Sequence, residues 1–449
     1  MTPTLGWLGI VRLGLVQTAL GAIVVITTST MNRVMVVELA LPAMLPGALV
    51  ALHYAVQMSR PHWGYGSDMG GRRSPWIIGG IAVLGLGGIG AAIAILLMET
   101  HLWLGTALAV LSFTFIGIGV GASGTSLLAL LATRVDPSRR APAATIVWVM
   151  MIAGFIVTAG TTGAYLDPFT PMRLLTITAI VAALALLITI LAVAGIEGAP
   201  QRAPQRAELD EPKPSFREAL AEVWDEPKAR RFSIFVFCSM LAYSAQDSIL
   251  EPYAGAVFGF SPGESTKLAG VQHGGVLVGM VLVALAGAGI GGFRFGSLRI
   301  WTVGGCIASG LALFGLTIAG MVGPSWPLKA NVFCLGVSNG AFAVAAIGSM
   351  MSLAGEGRSK REGLRMGLWG AAQAIAFGLG GFLGTVGVDL GRALGANTPT
   401  AYMTVFALEG LVFFVSAVLA VQIGLDAVRE RETRLAVAGQ GYLAGVGGP

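Results

Sequence analysis

The sequence predicts an all-α integral membrane protein with twelve transmembrane helices arranged as two six-helix bundles. Three observations carry this expectation. Hydrophobic residues make up 55% of the 449, charged residues 11%, and the mean hydropathy is +0.78; soluble domains carry about 25% charged residues. The apolar runs are close to the length a helix needs to cross the hydrocarbon, without the short alternation of an outer-membrane barrel. A single long polar break divides the runs six and six.

The spans are predicted at 11–33, 39–59, 75–97, 102–133, 142–165, 172–195, 231–256, 266–290, 298–321, 327–353, 364–387 and 400–424. The first run lacks a small-residue cleavage site after it and is read as a retained helix. The basic residues then fix an orientation. Of 28 Lys and Arg, 23 fall at the N-terminus, in the central linker, in the tail or in the connections on the same side. The opposite connections hold only Arg33, Arg173, Lys267, Lys329 and Arg392. The positive-inside rule places both termini in the cytoplasm.

The break defines four parts: a first bundle over 1–196, a cytoplasmic linker over 197–230, a second bundle over 231–428 and a tail over 429–449. Within the linker, Ser215-Phe216-Arg217-Glu218 has capping-box spacing. The apolar positions that follow predict a short amphipathic helix on the membrane surface; a solvated linker is the competing reading. The halves echo each other. LLATRVDPSRRA (130–141) matches SLAGEGRSKREG (352–363), and the spans that follow close near Asp167 and Asp389. Secondary transporters show such internal repetition.

Between the second and third spans lies GYGSDMGGRR (64–73). Its single carboxylate, Asp68, can accept charge-assisted hydrogen bonds from guanidinium or helix N-terminal amides. Gly64, Asp68, Gly71, Arg72 and Arg73 are therefore read as a conformational latch; a basic loop that only enforces topology is the alternative. The loop resembles the signature between the second and third helices of the major facilitator superfamily, with Gly66 and Met69 as departures. The corresponding second-half segment, GAGIGGFRFGSLR (287–299), lacks the aspartate. The resemblance implies two bundles that rock to alternate access.

A narrower resemblance covers nearly the whole chain. VRLGLVQTALGAIVV (11–25), MNRVMVVELALPA (31–43), SPWI (74–77) and AQDSILEPYAG (245–255) are similar to the PucC/LhaA family. The form GGRRSPWI looks closest to the family's shorter branch, associated with bacteriochlorophyll synthesis. The resemblance implies a bacterial inner, photosynthetic intracytoplasmic membrane and bacteriochlorophyll as cargo or bound pigment. It implies antenna or reaction-centre apoproteins and pigment-synthesis enzymes as partners. It singles out Asn32, Arg33, Glu38, Asp247, Glu251 and Tyr253 as motif residues on the side opposite the latch.

Ionisable groups inside a bilayer are functional candidates by default. Glu409 is predicted at mid-span in the twelfth segment, Asp247 and Glu251 toward the end of the seventh, and Glu38 near the start of the second. No facing acid–base couple is evident, which argues against a hydrophilic solute and for an apolar cargo. His53, His273 and Gln246 are the pigment-binding candidates, since a neutral imidazole can ligate a tetrapyrrole metal. Buried histidines more often hydrogen-bond a neighbouring carbonyl, and both readings stand. Trp63, Trp76, Trp103, Trp301 and Trp326 read as interfacial anchors. Cys238, Cys306 and Cys334 have no paired spacing and read as small hydrophobes. No nucleotide loop or catalytic motif is present, so no enzyme activity, metal centre or nucleic-acid partner is expected. Two other classes stay open: a conventional carrier of an amphiphilic or hydrophobic solute, and a scaffold that has lost transport.

Overall fold

The computed structural model describes residues 5–59, 72–136, 139–197, 224–288, 296–354 and 362–446. Among these the chain is helical throughout, with no strand. The helices are α1 (Trp7–Glu38), α2 (Met44–Gln57), α3 (Ser74–Met98), α4 (Leu102–Arg134), α5 (Arg140–Tyr165), α6 (Pro171–Val193), α7 (Pro227–Phe258), α8 (Pro262–Ala288), α9 (Leu298–Val322), α10 (Leu328–Ala354), α11 (Glu362–Ala393) and α12 (Thr398–Val446). Eleven contain a segment long and apolar enough to cross a membrane, and α2 is a shorter apolar helix. This is a multi-pass membrane protein.

Local chemistry sets the ends. Proline stands in the first turn of α3, α6 and α7, where its missing N–H costs nothing. Thr170 Oγ1 accepts from Arg173 N at 3.1 Å at the start of α6. Gly259, with φ 71°, closes α7 in the left-handed region that glycine enters without strain.

The packing repeats with a shift of six helices. In the first half α1 packs on α5 and α6, α3 on α4 and α6, and α2 on α4. In the second half α7 packs on α11 and α12, α9 on α10 and α12, and α8 on α10. The two most extensive crossings between the halves, α5 with α8 and α2 with α11, are related by the same shift, and the end of α1 also packs on α7 and α8. Each half has its own large apolar core. Small residues permit the closest crossings: a Cβ on Gly279 of α8 would lie 2.1 Å from Val337 O of α10.

Two boundary expectations are corrected. The first helix does not stop near residue 33 but continues to Glu38, so Glu38 ends α1 instead of opening the second span. The second helix starts at Met44. The cause is local. Ala40 has a positive φ of 49° and Pro42 follows, so the chain cannot continue as a helix across 39–43. The tail expected after 428 continues the backbone of α12 to Val446. Gly64, Asp68 and Gly71, Trp63 and the capping-box segment 215–218 lie outside the described residues.

Candidate functional site: the seam between the halves

The end of α1 is wound unusually. Two π-helical turns, Ile26–Thr30 and Val34–Glu38, flank Met31–Arg33. Hydroxyls in the first turn compete for helix carbonyls: Thr27 Oγ1 donates to Ile23 O at 3.1 Å, and Thr28 Oγ1 to Val24 O at 2.9 Å. Wide turns of this kind cluster at functional sites. Here they accompany side chains that reach across to the second half.

Asn32 and Arg33 are almost fully buried. Asn32 Nδ2 donates to Ser248 O of α7 at 2.7 Å. That carbonyl needs an outside donor, because Pro252 lies inside α7 and has no N–H to return to residue 248. Arg33 forms an ion pair with Glu38 and donates to Phe260 O at 2.7 Å. Gly255 makes room for it: a Cβ there would lie 2.9 Å from Arg33 Nη2. Ser29 donates to Glu251, and the hydroxyls of Thr30 and Thr266 meet at 3.2 Å. The motif residues Asn32, Arg33, Glu38 and Glu251 thus converge on one seam. Ser29 and Thr30 complete it; only their hydroxyl-rich run could have flagged them in the sequence.

Asp247 and Tyr253 face the second half. Asp247 accepts from Gln272 Nε2 of α8 at 2.8 Å. Tyr253 is fully buried, donates to Leu316 O at 2.8 Å, and packs on Tyr402 and Phe406 at 5.6 and 5.0 Å. Gln246 and Glu409 are buried inside the second half. Hydropathy averages hid the pairing of buried Arg33 with the partly exposed Glu38 and a polar interior around α7.

A matched pair of caps closes the seam at this end. Asp389 of α11 accepts from Ala43 N at 3.1 Å and Met44 N at 2.7 Å, at the start of α2. Asp167, just past α5, accepts from Ser261 Oγ at 2.6 Å and Gly263 N at 3.0 Å, at the start of α8. Each carboxylate sits at the N-terminal, partially positive end of a helix from the other half. These are the two aspartates that closed the repeated segments of the sequence.

At the opposite end, Arg73 donates to Ala129 O at 2.7 Å and Thr133 Oγ1 at 2.6 Å. Glu197 accepts from Arg73 N at 2.7 Å and Ser74 N at 2.6 Å. These contacts join α3, α4 and the chain after α6, all within the first half.

The two interior histidines differ. His53 of α2 is 1% exposed, and both ring nitrogens are engaged: Nε2 lies 2.8 Å from Gln57 Nε2 and Nδ1 lies 3.3 Å from Val50 O. His273 of α8 stands on the α5–α8 crossing, its ring 4.8 Å from Phe155. Its Nδ1 is buried and has no hydrogen-bond partner among the described residues. Of the two, His273 has the ring nitrogen without a hydrogen-bond partner among the described residues.

Two repeated bundles meeting along symmetric crossings define the transporter fold of the major facilitator superfamily. The peptide transporter POT in complex with sulfate superposes with a TM-score of 0.68 at 14% identity, over 94% of this chain and 96% of that one. A point-mutant form gives 0.70 at 15% identity, over 94% and 96%. Likeness at that identity shows the fold alone. The family is shown by sequence: the family described as PUCC protein matches residues 30–427, and the chain belongs to it. The "Bacteriochlorophyll synthase 44.5 kDa chain" of Rhodobacter capsulatus is 55% identical, over 93% of this chain and 95% of the relative. Protein PucC of Rhodovulum sulfidophilum is 31% identical over 85% of each, and Protein PucC of Rhodobacter capsulatus 28% over 92% and 91%.

Proposed function

We propose that this protein binds bacteriochlorophyll, or a late precursor, in the photosynthetic membrane and delivers it to antenna or reaction-centre apoproteins. Family membership, with relatives named for bacteriochlorophyll synthesis, supports the pigment class. The observation that carries the binding site is His273, an interior imidazole at the seam with a buried, unpartnered Nδ1 beside an aromatic ring. Such a nitrogen suits the open axial position of a tetrapyrrole magnesium, and Phe155 suits the macrocycle edge. His53 does not fit, since its ring is already bonded. Gln246 serves the interior of the second half in this reading.

The role is carriage and not catalysis. The name synthase belongs to the relative. The 23-to-5 charge asymmetry supports cytoplasmic termini in the bacterial inner membrane. Asp68, with Gly64, Gly71, Arg72 and Arg73, acts as the latch on the cytoplasmic side; Asp68→Asn slows delivery if so, and leaves it unchanged if the loop only sets topology.

Protein purified mildly from phototrophic membranes is expected to carry near-infrared-absorbing pigment, identified by mass spectrometry after extraction. His273→Phe lowers occupancy several-fold while His53→Phe keeps it. Equal occupancy in wild type and His273→Phe removes the proposed ligand. Pigment-free protein that still supports complex assembly removes the binding function. A second reading, carriage of a small amphiphilic solute, is favoured by the transporter fold; substrate-dependent flux in proteoliposomes supports it, and no flux across a broad panel counts against it.

A further inference from the structure

The interior of the second half holds a polar layer that the seam does not use. Gln246 of α7 is fully buried, as is Asn339 of α10, and Glu409 of α12 is 5% exposed. Both carboxylate oxygens of Glu409, both amide atoms of Gln246 and Asn339 Nδ2 lack a hydrogen bond of normal geometry among the described residues, although the Gln246 amide acts on the adjacent Asp247 carboxylate. Five orphaned polar atoms in one apolar core are costly, since each forfeits its hydration without replacement.

Register brings these groups to one level. Successive spanning helices alternate in direction, so α7 runs antiparallel to α12 and to α10. Tyr253 of α7 packs on Tyr402 of α12. Gln246 lies seven residues before Tyr253 and Glu409 seven after Tyr402, two turns along the same faces. Tyr243 packs on Phe342 of α10 at 6.4 Å. Three residues on from each contact partner, in opposite directions, stand Gln246 and Asn339. Phe342 also packs on Phe413 of α12 at 5.6 Å, one turn from Glu409. Ser309 of α9 donates to Asn339 Oδ1 at 2.7 Å and closes the layer.

We propose that this layer is a cation site, in which Glu409 takes up one positive charge, a proton or a sodium ion, with the carboxamides of Gln246 and Asn339 and the Ser309 hydroxyl as its oxygen-donor surroundings. An isolated ionised carboxylate in an apolar core is not tolerated; it neutralises or binds a cation. Carboxylate, carboxamide and hydroxyl oxygens are hard donors, and carboxamides turn to offer either oxygen or nitrogen. The titratable groups on the helices packed together here are Asp247, Tyr243 and Tyr253 of α7, Cys306 of α9, Asp389 and Arg392 of α11, and Tyr402 of α12 itself; the Asp247 charge acts on Glu409, and Arg392 lies over the Tyr402 ring at 5.5 Å. Lys and Arg are absent at this level among the described residues of α7, α9, α10 and α12. The site is separate from His273 and does not depend on the pigment reading.

The test uses the full chain in lipid nanodiscs, as wild type and Glu409→Gln. If the site holds a proton, an infrared carbonyl band from a protonated carboxyl is present, disappears in Glu409→Gln, and ignores sodium. If it holds sodium, Tm rises saturably with sodium chloride, does not rise with choline chloride, and Glu409→Gln abolishes the response. A variant whose carbonyl band and salt response both match the wild type overturns the proposal. Should Glu409→Gln not fold, Gln246→Leu decides: removing one facing donor shifts the band or weakens half-saturation by about tenfold, and no change in either overturns it.

Discussion

The seam between the halves and the interior of the second half bury polar groups in opposite ways. At the seam, the Arg33 guanidinium meets a carboxylate and a carbonyl, and the Asn32 amide meets the carbonyl that Pro252 leaves open. In the interior, Glu409 and Gln246 are as deeply buried and have no such partners. The seam is therefore a fastening whose main groups are paired, although Asn32 Oδ1, Arg33 Nε and Glu251 Oε2 have no hydrogen-bond partner among the described residues. The interior layer leaves its carboxylate and amides without such partners, which is the basis of the proposed cation site. A buried polar group that finds a partner stabilises one arrangement; one that does not marks a place where something else must enter.

The comparison breaks most visibly at Arg33. Arg33→Leu bares the Phe260 carbonyl and leaves the partly exposed Glu38 to solvent, and is expected to cost about 2–3 kcal/mol, the upper range for losing charge-assisted hydrogen bonds. Chemical unfolding in detergent measures it, and a loss below about 0.5 kcal/mol, within the range of ordinary surface substitutions, means the seam is not fastened there. Next in size is Asn32→Leu. Leaving the Ser248 carbonyl bare costs about 1–3 kcal/mol. Pro252→Ala restores an N–H to that carbonyl, so the double variant recovers part of the loss. Strict additivity in that cycle contradicts the pairing.

Smaller effects sharpen the contrast. His53→Leu removes the hydrogen bond to Gln57 and lowers stability by about 1 kcal/mol without touching pigment occupancy, whereas His273→Phe does the reverse. Asp389→Asn and Asp167→Asn weaken the two helix caps by about 1 kcal/mol each. Spin-label distances across α2–α11 and α5–α8 should broaden in both variants, and by similar amounts if the caps act as a symmetric pair. Broadening in one variant alone indicates that a single crossing holds the halves.

Much of this was legible before folding was considered. Asn32, Arg33, Glu251 and Tyr253 were marked by the resemblance of their motifs to the family, and Glu251 also as an ionisable group in an apolar run. Asp167 and Asp389 announce themselves by ending repeated segments. Glu38 was misplaced, because hydropathy does not register a change from α to π winding. His53 and His273 look alike as letters in apolar runs; their difference lies in Gln57 one turn away from one and Phe155 on another helix beside the other.

By itself the sequence determined that the protein lives in a membrane, that it crosses as helices, and that it repeats itself. Those properties follow from composition, run length and charge placement, which act locally along the chain. Tertiary structure alone decided that Asn32 serves the carbonyl that Pro252 leaves open, that Asp389 caps α2, and that Ser309 bonds Asn339 across two helices. These groups are separated by up to 346 residues in sequence. They meet only because two related bundles pack in register and bury partners whose identities no local pattern encodes.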